Sequence, residues 1–161
     1  MVSWRRKAEV EAEPLNLNLI LNLNALAEAG VCLALASLAI RVAPAVTLRL
    51  AQAGVRPRDQ HSGRPAARAW AAAARLWRLT AAVARRLPWR PTCLAQALAV
   101  GWMLRRRGIA TRLRFGVRVA DGALAAHAWL ECAGRVVGPP RVAETFAPLE
   151  PVSTSSEHIN A

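Results

Sequence analysis

Two residues of this chain have the types and setting for covalent acyl chemistry, Cys93 and His127. Cys93 stands in LPWRPTCLAQAL, two residues after Pro91, at the head of a stretch that reads as a helix with Thr92 as its cap. A thiol attacks carbonyls as its thiolate, which the positive end of a helix and a neighbouring imidazole both stabilise. The first condition is met in the sequence. His127, in AAHAWLE, would meet the second if its strand crosses the start of the helix. Unpaired backbone N–H groups of the same first turn would then face a developing oxyanion. Spacing alone leaves a second reading open, in which Cys93 is a small buried residue and His127 a strand histidine bonded to backbone.

The remaining reactive side chains carry no such setting. Cys32 lies in an apolar helical run and Cys132 on the inward face of a strand, so both read as core. Three widely spaced cysteines without a CxxC pair argue against a disulfide framework and a zinc site, and no cofactor or metal is expected. A reducing, cytoplasmic setting follows from that usage. His61 falls in a Gly- and Pro-rich loop and His158 in a polar tail, so neither receives a role.

The chain has 161 residues, 54% apolar, with a formal charge of +12 carried almost wholly by arginine. That is enough for one domain with its own core. A basic surface suits nucleic acid, a lipid face or an acidic peptide. Tryptophans interleave with arginines between residues 66 and 87, as a base-stacking surface might require, but their spacing is that of a buried stripe. Nucleic acid therefore ranks last and is not expected as a partner. The longest apolar run, VCLALASLAI, stops at ten residues, short of the twenty or so that span a bilayer. No transmembrane segment is expected, and peripheral membrane contact stays open.

The elements that must position the two residues are α+β in kind. Residues 1–24 include LNLNLILNLN, whose period of two suits a strand without an evident partner, and read as an extension. A single domain is expected over residues 25–150, helical over 25–87, with the Cys helix and sheet over 88–150; residues 151–161 form a mobile tail. Pro44 should split the first helical run, and a further helix should span residues 66–87. In the helix opened by Cys93, Leu94, Ala97, Leu98, Gly101, Trp102 and Leu104 form the inward face, and Gly108 ends it. TRLRFGVRV and LAAHAWLEC then alternate as two strands joined at ADGA, and AGR turns into VVGPP. His127, Trp129 and Glu131 share one strand face; Leu130 and Cys132 share the other.

With these pieces in order, residues 85–138 closely resemble the lasso-peptide leader peptidase family, within the transglutaminase-like, papain-related superfamily. The matching segments are LPWRPTCLAQAL, LRRRGI, RFGV and AHAWLE, and with FAPL at 146–149 the likeness extends over roughly residues 25–150. The resemblance implies a cysteine endopeptidase that removes the leader from a ribosomally made precursor peptide, with Cys93 as nucleophile and His127 as general base and acid. It implies two partners besides the precursor: a separate small leader-recognition protein and a lasso cyclase that closes the ring. The chain ahead of the first helix is too short to hold that recognition module, so it is expected as a separate protein.

One departure stands out. The family carries an aspartate on the strand after the histidine. Ladder counting puts residues 139 and 140 opposite His127, and both are proline. Glu131 is too far along its own strand, Asp121 lies in the preceding turn, and Glu144 is the downstream acid that would have to fold back. The alternatives are therefore a weakly active or non-catalytic peptide-binding scaffold of the same pathway, or an acyl transferase of the same superfamily. Outward arginines at 112, 114 and 118 offer a contact for an acidic peptide.

Overall fold

The computed structural model describes residues 3–53, 65–120 and 122–149. His61, His158 and the tail at 151–161 lie outside them. The order is α1 (Ser3–Val42), α2 (Pro44–Ala53), α3 (Ala66–Ala84), α4 (Cys93–Arg105), β1 (Arg112–Ala120), β2 (Ala123–Cys132), β3 (Arg135–Val137), α5 (Val142–Thr145) and β4 (Ala147–Pro148). Helices precede a four-stranded antiparallel sheet of order β3-β2-β1-β4, an α+β fold.

The leucine–asparagine alternation is helical, not extended: α1 runs unbroken across residue 24. A strand there would need a partner for its ladder, whereas helical hydrogen bonds close within the segment. The Ala- and Leu-rich run that follows supplies a nucleus from which a helix propagates. Pro44 divides α1 from α2 as the sequence predicts, and Thr47 bonds back to the carbonyls of Ala43 and Ala39 across the joint.

α4 lies at the centre. It packs on α1 and α3 on one side and on the sheet on the other. Its buried residues, Ala95, Ala97, Leu98, Ala99, Val100, Met103 and Leu104, take up most of the circumference, leaving a half-buried strip at Leu94 and Gly101. The sequence reading of a single inward face is corrected here, with Leu94 and Trp102 only half-buried. Ala29, Leu33 and Ala36 of α1 and Ala73, Leu76 and Trp77 of α3 complete the helical side of the core. Glu28 locks α1 to the carboxyl end of α4, taking two bonds from Arg107 at 3.0 and 2.5 Å and an ion pair with Arg106 at 3.4 Å. The Arg107 bonds hold the Glu28 carboxyl below its usual range.

Leu33 is fully buried while Leu38, a turn and a half later, is largely exposed. Leu33→Ala is expected to cost about 2–5 kcal/mol, against less than about 0.5 for Leu38→Ala. Urea unfolding of the two variants checks the assignment of faces.

Candidate active site

The segment before α4 is tightly turned. Arg90 adopts a left-handed backbone, φ 42°, beside Pro91, and the Thr92 hydroxyl caps the helix by accepting from the Ala95 N–H at 3.2 Å. Gln96 reaches back to donate to the Pro91 carbonyl at 2.9 Å. Cys93 is thus the first residue of α4, half-buried, its position set by a cap, a side-chain tether and two prolines. The predicted cap and helix start are as observed.

His127 stands on β2, on the strand face opposite Leu130, which meets Gly101 of α4. His127 pairs with Gly116 of β1, and Trp129, which shares its strand face, is 1% exposed. The loop and short elements after β3 cover that face. A Cβ on Gly116 would lie 2.7 Å from the Trp129 ring and 2.9 Å from the Ala147 carbonyl oxygen, so only glycine fits opposite His127. Gly138 is similarly close to Trp129, at 3.2 Å, with Val142 next to it. This packing explains the glycine of RFGV and was not legible as such, because the tryptophan that demands it comes from another strand.

Phe146 stacks on the His127 ring, centroids 5.1 Å apart and planes inclined by 28°, and the Arg118 guanidinium lies 5.2 Å from the centroid of the same phenyl ring. His127 Nε2 is buried and has no hydrogen-bond partner among the described residues. Burial holds the imidazole below the ordinary histidine value, favouring the neutral form that a general base must have.

Among the described residues no acid is bonded to that imidazole. The β2–β3 register pairs Leu130 with Val137 and Glu131 with Val136, as ladder counting from the turn gives, and β3 ends at Val137, short of the prolines at 139 and 140. Glu144, the downstream candidate, is exposed on α5 and pairs with Arg141 at 3.9 Å. Its carboxylate is 76% exposed and makes no hydrogen bond to His127 among the described residues. Glu131 is engaged by Arg114 at 3.0 Å. Nor does a hydrogen bond join Cys93 to His127 among the described residues; the ring that His127 meets is Phe146.

Cys32 and Cys132 are both core, and burial pushes both thiols up, keeping them protonated. The tryptophans of α3 are structural: Trp77 is buried, and Trp70 donates to the Val136 carbonyl at 3.1 Å beneath the Arg135 guanidinium. Of the outward arginines, Arg112 and Arg118 are exposed, while Arg114 is spent on Glu131. Among the described residues no cluster of three metal-ligating side chains occurs.

The family model for the transglutaminase-like superfamily matches residues 29–150, which span both Cys93 and His127. The chain belongs to that superfamily. Its members include cysteine proteases and acyl transferases. No curated protein and no solved structure was found to match the chain.

Two outcomes test the site's construction. His127 is expected to titrate below the ordinary imidazole value of about 6.5 because burial disfavours the charged ring, read from the histidine Hε1 shift in an NMR titration. Arg90→Gly relieves a left-handed backbone and should leave stability unchanged or raise it by about 1 kcal/mol, read from thermal unfolding.

Proposed function

We propose that this member of the superfamily is a cysteine endopeptidase that removes the leader from a ribosomally synthesised lasso-peptide precursor. The observation that carries the reading is Cys93 at the capped amino end of a central helix, in a segment that resembles the nucleophile motif of that peptidase family. Within the family match, AHAWLE supplies the histidine on the strand that follows.

In the proposed reaction the Cys93 thiol passes its proton to His127, and the sulfur attacks the scissile carbonyl carbon. The tetrahedral oxyanion meets N–H groups of the first turn of α4. On collapse the C–N bond breaks and the imidazolium protonates the leaving amine, which becomes the new amino terminus of the core peptide. Water, deprotonated by His127, then attacks the thioester. The leader leaves with a free carboxylate and the thiol is regenerated. A separate leader-recognition protein presents the precursor, and a separate cyclase closes the ring. If an amine replaced water in the second half, the same parts would perform acyl transfer; a free carboxyl terminus on the released leader distinguishes hydrolysis.

A second reading, a non-catalytic peptide-binding scaffold of the same pathway, is favoured by two observations. Among the described residues Nε2 of His127 has no hydrogen-bond partner, and the Glu144 carboxylate pairs with Arg141 instead.

Cys93→Ala should abolish cleavage of the precursor in the reconstituted system; cleavage that persists overturns the nucleophile assignment. His127→Ala should slow alkylation of Cys93 by iodoacetamide near neutral pH by on the order of a hundredfold, the lower end of what a positioned base contributes. An unchanged rate means that thiol and imidazole do not act together. Because burial depresses the His127 pKa, the acid limb of the pH–rate profile should fall below the ordinary imidazole value of about 6.5. The sign for stability agrees. The folded state resists protonation of His127, so its contribution is full above the unfolded value and is lost as pH falls through the folded one.

A further inference from the structure

The outer face of α1 is apolar where solvent should meet charge. Val31, Leu35, Leu38 and Val42 are 52–74% exposed, and at 100° per residue they fall within an arc of roughly 60°. Val46 on α2, 56% exposed, follows the stripe across the joint. The opposite face of the same helix, with Ala29, Leu33 and Ala36, is fully buried against the core. Apolar on both faces, the stretch Asn22–Val42 is long and apolar enough to cross a membrane, with mean hydropathy 1.8, yet only 22% of it is buried. A core helix of that hydropathy would be mostly buried.

Its inner face is committed to α3 and α4, so the helix cannot span a bilayer without dismantling the core. It can lie along one. The stripe is aliphatic, without the aromatic anchors and hydrogen-bonding groups that mark protein interfaces. Its two edges are basic. Arg41 flanks it near the carboxyl end, and on the other edge Glu28 brings up Arg106, 71% exposed, and Arg107. Exposed Arg49 continues the basic rim on α2. A net charge of +12 opposes burying this face against a second copy and favours an anionic surface.

We infer that the α1–α2 face docks on an anionic lipid surface, the aliphatic stripe sinking into the headgroup boundary and the flanking arginines meeting lipid phosphates. The site chemistry is independent of this surface.

The full chain is mixed with vesicles of phosphatidylcholine containing about 30% phosphatidylglycerol, or of phosphatidylcholine alone, and sedimented. Binding is expected to the first and to be weak on the second. The neutral double variant Leu35→Asn, Leu38→Asn keeps the charge while removing the stripe, and its partitioning should fall on the order of tenfold or more. Circular dichroism confirms that this variant stays folded, and Arg41→Gln supplies a second, milder loss. Failure to bind anionic vesicles overturns the inference, as does a folded double variant that binds them like the parent. It is equally overturned if light scattering shows a lipid-free dimer that the double variant abolishes, since the stripe would then be a protein interface.

Discussion

The packing of α4 between two helices and the sheet is the constraint on which the rest of the structure depends. A helix of thirteen residues that touches α1, α3 and the sheet at once has no freedom to slide or rotate. Close packing of alanines at 95, 97 and 99 lets the neighbouring helices approach, and Val100, Met103 and Leu104 fill the gaps between them. Cys93 is the first residue of that immobile rod. Its place is therefore decided by the core of the whole domain, with the Thr92 cap and the Gln96 tether settling only the last turn.

The sheet serves the site in a different way. β2 is buried on both faces near its carboxyl end: Leu130 and Cys132 toward the helical core, Trp129 toward the segment that crosses from β3 to β4. That crossing segment brings Phe146 onto the His127 ring and ties Leu149 to the Phe115 carbonyl at 2.8 Å. An aromatic face thus restrains an imidazole where a carboxylate is expected. Stacking limits the ring plane but supplies no acceptor; Nε2 has no bond among the described residues, and burial is what favours neutral imidazole. In energetic terms the two devices are not equivalent. A carboxylate would stabilise the imidazolium that forms during proton transfer, whereas a phenyl ring capped by Arg118 does not.

Arginine usage divides along the same lines. Arg107 ties α4 to α1 through Glu28, Arg106 stays 71% exposed beside the same carboxylate, and Arg114 is balanced by Glu131. Arg135 covers Trp70. Only part of the +12 is therefore free for recognition, and bulk charge overstates the basic surface.

The sequence by itself determined whatever depends on neighbours within a few residues. The break at Pro44, the Thr92 cap, the stop at Gly108 and the antiparallel register around the Ala133–Gly134 turn follow from local backbone chemistry, and all are as read. Ladder counting from that turn gives the pairing observed out to Leu130 with Val137, because register propagates from a two-residue turn without tertiary help. Only the tertiary structure decided the rest. It made LNLNLILNLN helical by continuity with a packed helix, set α4 between two helices and the sheet, forced Gly116 through the bulk of Trp129, and paired Glu144 with Arg141. Each of these depends on groups distant in the chain that meet only once the core has closed, and no local pattern encodes such a meeting.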